Sequence, residues 1–302
     1  LTASELECEN MCDEDTVIES ADYLARKANM GRRAFNKMAA GAAAMLMLPP
    51  VTHALEVVGS DVMVETPDGL SDCYFVHPAK GTHPGVIIWP DILGLRPAFR
   101  LMGERLAKSG YSVLVVNPYY RNARSPVIES GASFQDAETR NTVMPYYRAL
   151  SAETNVTDAR AYVSYLDAQR SVDLESKIGT TGYCMGGPMV MRTAAAVPER
   201  IGAGGSFHGG GLVTNDASSP HLLIKDMRAD LLIAVAANDD ERAPTDKEVL
   251  RKTFADHGLK AEIEVYEGAM HGWCPPDSRV YDEKQAERAW SRLLHTFDRA
   301  LG

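Results

Sequence analysis

The stretch Gly182-Tyr183-Cys184-Met185-Gly186-Gly187 constrains this chain more than any other. A short β-prone run from Lys177 to Thr181 feeds into Gly-x-Cys-x-Gly, and Pro188 to Ala196 continues with few breakers, as a helix does. A strand that turns this sharply into a helix holds its central residue in strained backbone geometry. The glycines are required because a Cβ at Gly182 or Gly186 would collide with the neighbouring strand or helix. The turn pushes the Cys184 thiol outward, at a helix N-terminus where the dipole favours a thiolate and free N–H groups can stabilise an oxyanion. A buried structural cysteine is the alternative. Glycines on both sides at this spacing weigh against it.

A chain of 302 residues accommodates one large α/β domain, and 45% hydrophobic with 24% charged residues is a globular balance. The net charge is −10 and no basic stripe is visible, so nucleic acid is not an expected partner. The five cysteines, Cys8, Cys12, Cys73, Cys184 and Cys274, are odd in number and contain no C-x-x-C pair. That arithmetic implies no zinc site and no dithiol redox motif, and it suits one reactive thiol. No metal and no organic cofactor is expected.

The first 54 residues read as an N-terminal extension. Leu1 to Met30 is polar and acidic without a clear period, and Gly31-Arg32-Arg33-Ala34-Phe35-Asn36-Lys37 then leads into the weakly apolar run Met38 to Leu48 and Pro49-Pro50-Val51-Thr52-His53-Ala54. Paired arginines, an apolar run and a small residue at a cleavage point have the form of a secretory signal. The run is too short to span a bilayer, so no stable membrane anchor is expected. It resembles a twin-arginine export signal, with Asn36 where leucine is preferred. That resemblance implies the export machinery as a partner, a cut near Leu55 and a periplasmic or secreted product. A surface helix on a cytoplasmic protein is the alternative.

From Leu55 onward strand and helix patterns alternate. Val57 to Glu65, Leu70 to Val76, Gly85 to Trp89, Tyr111 to Val116, Ile201 to Phe207, Leu231 to Ala237 and Ala261 to Tyr266 read as strands beside the strand of the elbow. Ala98 to Ser109, Ala152 to Gln169, Thr245 to His257 and Tyr281 to Leu301 read as helices, and Asn117 to Met144 as loop-rich. Alternation of this kind predicts an α/β fold over residues 55–302, a mostly parallel central sheet with helices on both faces. Ligands on such a sheet bind at the carboxyl ends of the strands, where the elbow lies.

A thiol nucleophile needs a base, and the base an orienting carboxylate. Asn238-Asp239-Asp240-Glu241 follows one late strand, and Gly268-Ala269-Met270-His271 follows the next. Both segments lie downstream of Cys184, in the chain order nucleophile, acid, histidine. His208, after another strand, is a candidate for the pocket wall, with a packed loop histidine as the alternative. Gly202-Ala203-Gly204-Gly205-Ser206-Phe207 lacks the third glycine of a dinucleotide loop and is not read as one.

With these residues in view, the chain from about Val57 to its end resembles the dienelactone hydrolase family of the α/β-hydrolase superfamily, which uses Cys, Asp and His. The resemblance implies cysteine-dependent hydrolysis of a small ester or lactone, of carboxymethylenebutenolidase type, through an acyl-enzyme. The family's acid stands four residues before a proline, which selects Asp240, with Asp239 left open. The family's acid that contacts the resting thiol corresponds to Asp91, where Glu is typical. Ile92 and Met185 become the oxyanion-hole donors. Of the two arginines that hold a substrate carboxylate in the family, one corresponds to Arg140. The other falls on Pro275, with Arg96, Arg121 or Arg279 as possible replacements. A non-catalytic binding protein with the same fold and a thiol-based redox sensor, with Cys274 as resolving partner, are the rival readings.

Overall fold

The computed structural model describes residues 14–29 and 47–302. The paired arginines Arg32-Arg33 and most of the apolar run after them lie outside the described residues. Eight strands form one sheet in the order β1-β2-β4-β3-β5-β6-β7-β8. They are β1 (Val57–Thr66), β2 (Gly69–Pro78), β3 (Gly85–Trp89), β4 (Ser112–Val115), β5 (Ile178–Tyr183), β6 (Ile201–Phe207), β7 (Asp230–Ala236) and β8 (Ala261–Tyr266). The two leading strands form an antiparallel hairpin, β2 runs antiparallel to β4, and every later pairing is parallel.

The middle of the sheet is apolar on both faces because both faces are covered. Every residue of β3, β4 and β5 is buried, and two apolar cores lie on opposite sides, one containing Ile87 and Leu114, the other Val86 and Val113. Among the described residues the helices are, in chain order, α1 (Glu14–Asn29), α2 (Pro97–Lys108), α3 (Ala137–Arg148), α4 (Ala152–Asp167), α5 (Gly186–Ala196), α6 (Ala237–Arg242), α7 (Asp246–Asp256) and α8 (Glu283–Ala300), with a 3₁₀ turn at Pro220–Asp226. Helix α8 buries Ala289, Leu293, Thr296 and Phe297 along one stripe. Its Arg288, Arg292 and Arg299 pair with Glu264, Glu262 and Asp230 near the sheet edge. Among the described residues no helix is long and apolar enough to cross a membrane.

The predicted elements from Val57 onward match these within a few residues, with two departures. The stretch expected to be loop from Asn117 to Met144 ends in α3, which buries Thr139, Val143 and Tyr147 at helical spacing despite Pro145 inside it. The acidic segment after β7 is also helical, as α6.

The two glycines of the elbow bring α5 onto the sheet. A Cβ on Gly182 would stand 2.1 Å from the Gly186 carbonyl oxygen, and one on Gly186 would stand 2.3 Å from the Trp89 carbonyl oxygen. Backbone atoms cannot rotate away, so Gly186→Ala should destabilise the fold by about 3 kcal/mol or more. Gly258→Ala, at φ +66 with nothing within 4 Å of its Cβ, should cost only about 1–2 kcal/mol. Urea denaturation of the two variants checks the difference.

Candidate active site

Cys184 sits between β5 and α5 at φ 52, left-handed backbone that a residue with a side chain adopts at a cost of about 1–3 kcal/mol. Two acceptors hold it there, since its N–H donates to Phe207 O at 3.0 Å and to His208 Nδ1 at 3.1 Å. Its side chain lines a cavity together with Asp91, Ile92, Arg96, His208 and His271.

His271 lies on the loop after β8, braced where its own N–H donates to Asn238 Oδ1 at 2.8 Å and Ala237 N–H donates to Ala269 O at 2.9 Å. Its Nδ1 is 2.8 and 3.0 Å from the two oxygens of Asp239. Burial disfavours a charged imidazole here, yet the charges of Asp239 and Cys184, with the hydrogen bond to Asp239, outweigh it and hold the His271 pKa well above its ordinary value. The structure thus brings together a thiol, an imidazole and a carboxylate in the chain order expected.

The carboxylate is not the one that proline spacing selected. Asp240 points away from His271 and forms an ion pair with Lys247 Nζ at 2.5 Å. Both aspartates lie on α6, where successive side chains diverge by about 100°, so only one can face the histidine. The expectation for Asp91 is corrected as well. Its hydrogen bonds run to the Arg96 guanidinium, at 2.6 and 3.0 Å, and to Leu93 N–H at 2.9 Å. Arg96, 5% exposed, is clasped from its other side by Asp277 at 2.6 and 2.9 Å.

Arg140 does not line the cavity. Its guanidinium donates to the carbonyls of Phe134 and Gln135, at 3.0 and 2.7 Å, and so braces the loop that does. Arg121 bridges Asp68 and Asp158 elsewhere. Arg279 borders the cavity but pairs with Asp136 at 2.9 Å. Ile92 and Met185 sit where expected, on the loop after β3 and at the start of α5. A residue that sequence reasoning missed links the two: the buried Tyr119 donates from its hydroxyl to Ile92 O at 2.8 Å, and that hydroxyl lies 3.2 Å from Met185 Sδ. Nothing in its local sequence marks this role.

The first helix was missed too, although it forms part of the cavity wall. Val17 and Ser20 of α1 line it, and Glu19 Oε2 accepts from Asn238 Nδ2 at 2.7 Å and from Arg242 at 2.9 Å. The remaining cavity measures about 90 Å³. Cys73 and Cys274 are buried in the cores on opposite sides of the sheet and are not disulfide-bonded. Among the described residues no group of three or more His, Cys, Asp or Glu side chains is arranged to hold a metal ion.

A profile of the dienelactone hydrolase family matches residues 71–301. The chain belongs to the dienelactone hydrolase family. Among curated relatives, a Synechocystis protein provisionally named carboxymethylenebutenolidase is 27% identical over 76% of this chain and 91% of its own length. The carboxymethylenebutenolidase of Pseudomonas putida is 24% identical over 72% of this chain and 86% of that protein. The crystal structure of a provisionally named dienelactone hydrolase from Klebsiella pneumoniae superposes with a TM-score of 0.70 at 21% identity, covering 81% of this chain and 99% of that one. As a dienelactone hydrolase family member the chain is a hydrolase by homology, with a small molecule as the implied substrate. The family fold accounts for the eight-stranded, mostly parallel sheet.

Proposed function

We propose that this protein hydrolyses a small, uncharged ester or lactone through a thioester acyl-enzyme on Cys184. The observation that carries the reading is the convergence of Cys184 and the Asp239-oriented His271 on one cavity. The Cys184 proton passes to His271, leaving a thiolate and an imidazolium that Asp239 stabilises through Nδ1. Sulfur attacks the carbonyl carbon, and the oxyanion is met by the N–H groups of Ile92 and Met185. Collapse breaks the carbon–oxygen bond, and His271 returns the proton to the departing alkoxide. Water, deprotonated by His271, then cleaves the thioester and restores the thiol. Export through the Arg32-Arg33 segment is part of the same reading, and N-terminal sequencing of protein from the native host tests it.

The lack of charge on the substrate follows from the arginines. Arg96 is shared by Asp91 and Asp277, Arg279 is paired with Asp136, Arg140 is spent on main-chain carbonyls, and Pro275 offers no donor. A substrate carboxylate would find no uncommitted guanidinium among these and would meet two carboxylates around Arg96. A charge-assisted hydrogen bond contributes roughly 1.5–3 kcal/mol. The kcat/KM for a carboxylate-bearing dienelactone should therefore fall about 10- to 100-fold below that of a neutral lactone of equal size. Steady-state kinetics on the pair tests this, and a preference for the dienelactone would overturn it.

A further inference from the structure

His208 follows the last residue of β6 in left-handed backbone, at φ 40, and is 0% exposed. Its main-chain N–H donates to Ala234 O at 2.8 Å, and its Nδ1 accepts from Cys184 N–H at 3.1 Å. An imidazole nitrogen that accepts carries no proton, so the proton of the neutral ring resides on Nε2. Nε2 is buried without a hydrogen-bond partner, on a ring that lines the cavity beside Cys184 and His271. Burial, and then the charge of His271, push the His208 pKa well below its ordinary value, so the ring stays a neutral donor. The rings of His271 and Trp273 pack edge-on against it, with centroids 5.1 and 5.0 Å away, and limit its rotation. A buried donor left unpaired destabilises the folded protein, and an arriving acceptor recovers that loss.

We propose that His208 is a specificity-determining residue whose Nε2–H receives an uncharged acceptor oxygen of the substrate, other than the reacting carbonyl. The site recognises its substrate through this neutral donor in place of a guanidinium clamp, so the inference rests on the ester hydrolase reading above. The acceptor belongs either to the acyl part or to the leaving alcohol.

Two isosteric pairs separate these sources: aryl methoxyacetate against aryl butyrate, and 2-methoxyethyl acetate against butyl acetate. In each pair one methylene becomes oxygen. The inductive effect of that oxygen is common to all variants, and the fraction of folded protein cancels within each ratio. The preference for the oxygen member should drop about tenfold in His208→Phe for one of the two pairs. It should recover in His208→Gln, whose amide can accept from Cys184 N–H and donate into the cavity. The Cys184 N–H keeps Phe207 O as a partner in either variant. Ratios unchanged by His208→Phe in both pairs would overturn the proposal, and so would a His208→Gln ratio no higher than that of His208→Phe. Loss of all Cys184-dependent turnover in the wild type would instead sink the hydrolase reading itself, and this inference with it.

Discussion

Asn in place of Asp239 should lower kcat/KM on a neutral aryl ester by about 10³–10⁴, whereas Asn in place of Asp240 should change it by less than about threefold. The contrast comes from what each carboxylate touches. Asp239 accepts from His271 Nδ1, so Asp239→Asn presents an amide N–H that favours the wrong imidazole tautomer and withdraws the charge that sustains the imidazolium; loss of that orientation costs about 10⁴ in a well-studied triad. Asp240 pairs with Lys247 at a site where each side chain is 21% exposed. A pair of that kind contributes up to about 1 kcal/mol of stability and nothing to proton transfer. Steady-state kinetics of both variants, with thermal melts to show that each is folded, settles the matter. Equal losses, or a larger loss at Asp240, would return the acid to the position that proline spacing selects.

Cys184→Ala should reduce turnover by about 10⁵–10⁶, the scale seen when a nucleophile is removed from a unit that acts together. Alkylation provides an independent measure. Burial pushes the Cys73 thiol up to about 12 and holds that of Cys274 well above its ordinary value, so neither holds much thiolate near neutral pH. Cys184 opens on the cavity and interacts with His271. Iodoacetamide should label Cys184 ahead of Cys73 and Cys274 and abolish activity in proportion. Peptide maps showing Cys73 or Cys274 modified first, with activity lost in step, would remove Cys184 as nucleophile.

Much of this site is legible in the sequence because the elbow is a steric requirement. Gly182 and Gly186 are spaced by the approach of α5 to the sheet, and any chain making that approach needs them. The histidine is legible for a related reason, since β8 ends where an apolar run ends. The choice between Asp239 and Asp240 is not legible. It turns on a rotation of about 100° within a helix of six residues, which spacing to a later proline does not encode. Asp91 fails similarly, because its fate depends on Arg96 folding back across five residues while Asp277 arrives from the far end of the chain. Helix α3 was hidden by polar composition and Pro145, although Thr139, Val143 and Tyr147 already showed the period.

Helix α1 precedes the paired arginines in the chain, while Val17 and Ser20 stand in the wall of the cavity and Glu19 accepts from Asn238, the residue next to Asp239. The segment before a prospective cut thus also shapes what the site can admit. A chain that keeps residues 14–29 and one that begins at Leu55 share every reacting group yet offer substrate different rooms. Trimming the terminus would act as a change of selectivity, read in the largest ester accepted, with no reacting atom replaced.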